Sequence, residues 1–367
     1  MNNFEKYNKK IIIVTGGTGG HIIPAITLGK YLNKKFSDVN FITDNRGLIN
    51  EDLVKLKPKV INVRGFIGKS YFEKLISIVL IIIAFFKTLI FLKKKKVDLV
   101  FGFGSYVQVP VVLAAKILKI NIVLHEGNLI LGNANKLFWK FAKVRASAFD
   151  VINQPKDYKV TGMPVRTEIQ KLYTKNYIPF SKNKRINILI LGGSLGALIL
   201  SRKVCEQICL LPTKIKKNIH VMHQSKIEDI NYVDNLYLKN KISYEVKTYF
   251  SDIHAKLKKA ALVICRAGAS TISENLVSGL PAIYVPFSKS IDSHQKHNAE
   301  MINRKKAGWL INEEEVSQPK FIKLLTKLLS SKKLLMQVSK NCKKIGNPDA
   351  SKKLYRLILG ALNEEFW

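Results

Sequence analysis

The run Thr15-Gly16-Gly17-Thr18-Gly19-Gly20-His21 combines four glycines with an imidazole, residue types suited to gripping an anion and moving a proton beside it. Glycine lets backbone N–H groups come close to phosphate, and a helix starting just after such a turn adds unpaired N–H groups and partial positive charge. The glycine spacing fits neither G-x-G-x-x-G nor the Walker pattern ending in Gly-Lys-Ser/Thr, which weakens dehydrogenase and P-loop readings. His21 falls at the start of that helix, where the dipole would depress its pKa and favour the neutral form a general base needs. A purely local role, capping or packing, fits the same position.

Two further turns follow apolar runs: Gly102-Phe103-Gly104-Ser105-Tyr106 and Gly192-Gly193-Ser194-Leu195-Gly196-Ala197. One glycine turn means little, but three at strand ends suggest a ligand cleft lined with anion-binding loops. Arg266-Ala-Gly-Ala-Ser270-Thr271-Ile-Ser-Glu274 follows another apolar run and opens a helical pattern. Thr271 and Glu274 have the spacing of a capping box, which would explain them structurally. On a functional reading the hydroxyls and N–H groups bind phosphate while Glu274 accepts ribose hydroxyls.

The elements that must position these residues are short β-branched runs alternating with helical patterns. Strands are expected at Ile11–Val14, Val39–Thr43, Val97–Phe101, Asn121–Leu124, Ile186–Leu191, His220–Gln224, Leu262–Cys265 and Ala282–Val285. That alternation predicts an α/β protein of two doubly wound, Rossmann-like parallel-sheet domains facing across a cleft. With 367 residues, two domains of ordinary size are the prior expectation. The break in periodicity over 153–166 places the join there: domain one over 1–165, domain two over 166–349, and a helix over 350–367 able to pack back onto the first.

Lys and Arg total 61 against 26 acidic residues, a formal charge of +35 that attracts some anion, although scattered lysines also suit ordinary solvated faces. No aromatic-basic RNA motif or recognition-helix signature appears, so nucleic acid is not an expected partner. Cys205, Cys209, Cys265 and Cys342 lack metal-knuckle spacing, and Cys205 with Cys209 suits one helix face. Leu75–Leu92 is an 18-residue stretch interrupted only by Ser77, Lys87 and Thr88, roughly 27 Å as a helix. A crossing would separate the strand at Ile11 from the strand at Val97, which look like neighbours in one sheet. The stretch therefore reads as a helix with surplus apolar surface, and the flanking Lys93–Lys96 suit an anionic membrane surface. An ordinary buried helix is the competing reading.

Taken in order, Thr15–His21, Gly104-Ser-Tyr-Val107, His125-Glu-Gly-Asn128, Pro164-Val-Arg166, Gly192–Ala197, Arg266–Glu274, Pro281-Ala282, Val285-Pro-Phe287, Gln295 and Asn298-Ala299 resemble the MurG family of bacterial cell-wall glycosyltransferases. The resemblance spans nearly the whole chain. It implies the glycosyltransferase B fold and inverting transfer of N-acetylglucosamine from UDP-GlcNAc to the 4-hydroxyl of the N-acetylmuramoyl unit of lipid I, giving lipid II. Acceptor and membrane contacts then fall in the first domain and UDP chiefly in the second. Arg166, Ser194, Ser270, Thr271, Glu274 and Gln295 would bind the nucleotide sugar; Ser251 and Ile253 would border the uracil. The turn Thr15, Gly16, Gly17, Thr18, Gly19, Gly20 and Asn128 would reach the donor near its diphosphate and sugar. By the same resemblance Gly127 replaces the usual Gln, Ser105 a Gly, Met163 an Asn, and Gln108 a small residue.

Such a displacement requires a base for the attacking hydroxyl and charge stabilisation for the leaving diphosphate. His21 is the first candidate base, with Glu126 an acidic alternative or its orienting partner. Helix N-termini and Arg166 could stabilise the diphosphate, so no metal is demanded, though divalent-cation stimulation stays open. The expected partners are UDP-GlcNAc, lipid I, an anionic membrane surface at the cytoplasmic face of the inner membrane, and other wall-synthesis proteins. Rival readings are a UDP-sugar epimerase of similar two-domain shape and a non-catalytic basic membrane-surface protein.

Overall fold

The computed structural model describes residues 6–17, 19–65, 70–154, 157–180, 185–192, 198–288 and 293–363. The chain divides into two compact units, Met1–Arg166 with Asp349–Trp367, and Thr167–Pro348.

In the first unit seven strands, β1 (Tyr7–Val14), β2 (Phe36–Thr43), β3 (Lys59–Val60), β4 (Leu99–Gly102), β5 (Asn121–Glu126), β6 (Val144–Ser147) and β7 (Lys159–Val160), form one sheet ordered β3-β2-β1-β4-β5-β6-β7. Every pairing is parallel. Alternation along β1 feeds both faces. Ile12 and Val14 join a core with Ala84, Leu92, Val111 and Ala115, whereas Ile11 and Ile13 join one with Leu28, Phe41, Leu354 and Ile358. A sheet buried on both sides needs continuous apolar strands, which explains the unbroken Ile-Ile-Ile-Val of β1.

In the second unit β8 (Ile186–Leu191), β9 (Ile219–Gln224), β10 (Ser243–Lys247), β11 (Leu262–Cys265), β12 (Ala282–Tyr284) and β13 (Trp309–Leu310) lie in the order β10-β9-β8-β11-β12-β13, again all parallel. Both sheets are the doubly wound pattern expected from the alternation of strands and helices. In each, the order reverses beside the first strand, at β1/β4 and at β8/β11, the places where open α/β sheets bind ligands.

The apolar stretch forms the Tyr71–Lys95 helix, its N-terminus closed by a capping box between Ser70 and Glu73. It inverts ordinary amphipathicity. Its buried residues are Ser77, Ala84, Thr88 and Leu92, while Tyr71, Phe86 and Ile90 are 87%, 56% and 66% exposed. The small buried residues let it lie close to the Gln108–Ile117 helix. It does not cross between strands: β1 and β4, on either side of it in sequence, pair from Ile11↔Leu99 to Val14↔Gly102. At its C-terminal end Lys95 is drawn into an ion pair with Asp38 at 3.1 Å, so three exposed lysines, Lys93, Lys94 and Lys96, remain of the basic flank.

The Ala350–Leu362 helix buries Leu354, Tyr355, Ile358 and Leu359 in the first unit's core, and Lys143 Nζ donates to the Ala361 carbonyl at its end (2.8 Å). Ile358→Ala removes a fully buried side chain there and is expected to cost about 2–5 kcal/mol in denaturant unfolding.

Candidate active site

At the carboxyl end of β1 the chain turns through Thr15, Gly16 and Gly17. Thr15 is fully buried and donates its N–H to Ile42 O (3.0 Å), so it anchors the turn from below. A Cβ on Gly16 would meet Asp44 Oδ1 at 2.9 Å, and Gly17 has φ +80°, so both positions call for glycine. Asp44, just after β2, holds this turn. Its Oδ1 accepts from Gly17 N–H and Gly47 N–H, each at 3.2 Å, and its Oδ2 pairs with Arg46 at 2.6 Å. The Arg46 guanidinium thereby stands beside Gly17, adding positive charge to the turn.

Gly19 and Gly20 open the helix that carries His21 as its third residue. The ring Nδ1 lies 2.8 Å from the Phe103 carbonyl. A carbonyl only accepts, so Nδ1 is the donor and Nε2 carries the lone pair. The His21 pKa is lowered from 6.5, chiefly by burial and further by Arg46, while Glu126 and the Phe103 carbonyl oppose the shift. Desolvation is thus the largest influence holding this imidazole toward its neutral form.

Glu126, at the end of β5 and 2% exposed, accepts four hydrogen bonds: from Asn128 N–H (2.8 Å), Asn128 Nδ2 (3.1 Å), Gly132 N–H (2.9 Å) and Asn135 Nδ2 (2.9 Å). The carboxylate shapes the turn that presents Asn128. His125 beside it donates from Nε2 to Gly162 O (3.0 Å), and burial lowers its pKa to about 4. Arg166 closes the unit, half-buried.

In the second unit the β8 turn carries Ser194, which, like Thr18 in the first, lies outside the described residues. After β11, Arg266 donates to Val285 O (3.0 Å) and to Glu313 (2.6 Å) and stacks on the Phe287 ring at 5.3 Å. The other Glu313 oxygen accepts from Ser288 N–H (3.2 Å) and its hydroxyl, and Gln295 Oε1 accepts from Phe287 N–H (3.1 Å). Burial pushes the Glu313 carboxyl upward, but the bonds from Ser288 and Arg266 outweigh it and hold the pKa below the usual range. The loop after β12 is therefore pinned from both sides.

The helix beyond Arg266 starts at Ala269 with Gly268 as N-cap and no side-chain cap. Thr271 consequently sits inside the first turn, and the capping box suggested by its spacing from Glu274 is not formed. Ser270, Thr271 and Glu274 share the first two turns. Ser251 is exposed and Ile253 begins the Ile253–Lys259 helix, next to buried Phe250. Asp44, Arg46, Asn135 and Glu313, which hold the turns and loops around these candidates, were not singled out from the sequence. Only for Asp44 was there a local signal, an Asx-type turn with Gly47.

Residues 11–146 match the glycosyltransferase family 28 N-terminal domain and residues 187–354 the family 28 C-terminal domain. A UDP-N-acetylglucosamine–N-acetylmuramyl-(pentapeptide) pyrophosphoryl-undecaprenol N-acetylglucosamine transferase of Rickettsia bellii is 36% identical over 341 residues, 91% of this chain and 94% of that one. The correspondingly named protein of the Wolbachia of Brugia malayi is 34% identical, over 96% and 99%. The crystal structure of Acinetobacter baumannii MurG is 27% identical with a TM-score of 0.78, covering 96% of this chain and 99% of that one. A Neisseria meningitidis UDP-GlcNAc 2-epimerase bound to UDP-GlcNAc, 14% identical with a TM-score of 0.66 over 96% and 100%, shares the fold alone.

Because four donors converge on Glu126, Glu126→Gln turns an amide NH2 toward at least one of them. The expected result is a loss of about 1–3 kcal/mol in unfolding free energy, with retained secondary structure by circular dichroism.

Proposed function

The chain belongs to glycosyltransferase family 28, and on that premise we propose how its residues carry out the reaction to which its named relatives point, the transfer of N-acetylglucosamine from UDP-GlcNAc to lipid I to give lipid II for peptidoglycan synthesis. The observation that carries the reading is His21. Its Nδ1 is committed to the Phe103 carbonyl, leaving a neutral ring whose Nε2 has a lone pair at the end of the glycine turn. The acceptor's 4-hydroxyl attacks the anomeric carbon with inversion, its proton passes to His21 Nε2, and the bond to UDP breaks with the electron pair leaving on the diphosphate.

Charge on the departing diphosphate is met by backbone N–H groups of the turns and by Arg166. In the second unit Ser194 and the uncapped first turn bearing Ser270 and Thr271 bind the nucleotide, Glu274 accepts ribose hydroxyls, and Ser251 with Ile253 borders the uracil. Gln295, already fixing Phe287, completes the donor's surroundings, and Asn128 serves the sugar side. The exposed apolar face of the Tyr71–Lys95 helix and Lys93, Lys94 and Lys96 hold the protein peripherally on the anionic cytoplasmic face of the inner membrane, each exposed lysine contributing about 1 kcal/mol.

The reaction is tested by transfer of labelled N-acetylglucosamine from UDP-GlcNAc to a lipid I analogue; epimerised sugar without transfer would sink the reading. His21→Ala is expected to preserve UDP binding and lose about 10²–10⁴-fold in kcat. Since the base is the neutral ring with a depressed pKa, kcat/KM of the unsubstituted enzyme should fall on acidification with its midpoint below pH 6.5. Replacing Lys93, Lys94 and Lys96 together by Gln should weaken sedimentation with phosphatidylserine vesicles; unchanged sedimentation would contradict the membrane assignment.

A further inference from the structure

Gln108 is fully buried at the first turn of the Gln108–Ile117 helix. Its Oε1 accepts from Gly104 N–H at 2.8 Å and its Nε2 donates to Asn135 Oδ1 at 2.8 Å. Asn135 in turn donates to Glu126 Oε2 (2.9 Å) and to the His125 carbonyl (3.2 Å). The orientation of both amides is fixed by the ends of this relay, since Gly104 N–H can only donate and the carboxylate can only accept. A Cβ at Gly102 would collide with Gln108 Oε1, so the space the amide occupies depends on that glycine.

The N–H that Gln108 captures belongs to the same peptide plane as the Phe103 carbonyl that receives His21 Nδ1–H. The torsion on one side of that plane belongs to a glycine, Gly104, at φ +96°. Glycine adopts either sign of φ readily, so rotation of the Phe103–Gly104 plane is opposed mainly by what its two polar ends bind. One end is held by His21 and the other by Gln108. If the plane turned, His21 would face an N–H where it now faces a carbonyl, and Nδ1 would have to become the acceptor, moving the proton to Nε2.

We propose that Gln108 is a positioning residue for His21: by clamping the Phe103–Gly104 peptide it imposes the tautomer in which Nδ1 carries the proton and Nε2 is free to receive one. The catalytic consequence rests on His21 being the base. The tautomer itself does not, and the two are separable. Gln108 also withdraws Gly104 N–H from any ligand, so the second glycine turn serves the first as a scaffold for its histidine.

The test uses the full chain labelled with ¹⁵N-histidine, the His21 signals being assigned by their loss in His21→Ala. Long-range ¹H–¹⁵N correlation should show the Nδ1–H form in the unsubstituted protein and a mixture with Nε2–H in Gln108→Met, which keeps the side-chain volume but neither hydrogen bond. In the same variant kcat should drop roughly tenfold to a hundredfold, less than the full base effect, with KM for UDP-GlcNAc changed by less than about twofold, since Gln108 is not assigned a place in donor binding. Slow exchange of the Gly104 amide proton in the unsubstituted protein is expected as well and requires no variant to fold. An unchanged tautomer in Gln108→Met, or rapid exchange at Gly104, would overturn the clamp. Near-normal turnover in His21→Ala with the tautomer shift intact would remove the base assignment and leave the clamp standing.

Discussion

In the first unit the candidate site depends on the parallel pairing of β1 with β4. That register, Ile11↔Leu99 through Val14↔Gly102, ends both strands at the same level, so the two glycine turns that follow them emerge side by side. A side chain leaving one turn then meets the backbone of the other, as His21 meets the Phe103 carbonyl across 82 positions of sequence. Neither turn could fix the imidazole alone. A one-residue slip would exchange the two faces of β1 and place Ile12 and Val14 in the wrong core, so burial on both sides of the sheet enforces the alignment on which the chemistry rests.

Around that pairing the first unit places two carboxylates as hubs. Asp44 gathers the β1 turn, and Glu126 gathers the β5 turn and, through Asn135 and Gln108, the β4 turn. Charge-assisted bonds to backbone N–H groups are stronger than neutral ones, and acceptors with several sites can hold several loops at once. The second unit repeats the device with Glu313, which joins Arg266 to the loop after β12. Acidic residues are scarce in this chain, 26 against 61 basic ones, and these three are spent on organising glycine-rich or loop backbone.

Much of the fold was legible because strand segments buried on both faces must be continuously apolar, as Ile11–Val14 of β1, β4 and β11 are. The strands that escaped reading lack that signature. β3, β7 and β13 are two residues long, β6 is the four-residue Val-Arg-Ala-Ser, and β10, Ser-Tyr-Glu-Val-Lys, is a half-exposed edge. Glycine turns and His21 were visible as local patterns. The hold of Asp44 on Gly17 was not, since it arises only through the pairing of β1 with β2, and Asn135 meets Gln108 across 27 positions. The Thr271–Glu274 spacing misled in the opposite direction, because an earlier helix boundary, at Gly268, turns a capping pattern into residues of the helix itself.

The first unit is discontinuous in sequence, and this has a bearing on how the protein is made. Leu354, Tyr355, Ile358 and Leu359 fill a trough against Ile11, Ile13, Phe36 and Phe41, yet the ribosome produces them only after the whole of Thr167–Pro348. At about 5–20 residues per second the nascent sheet waits roughly ten to forty seconds with one apolar face incompletely covered. Over that interval the emerging chain is a natural client for chaperones, and its first domain matures after its second has had time to fold.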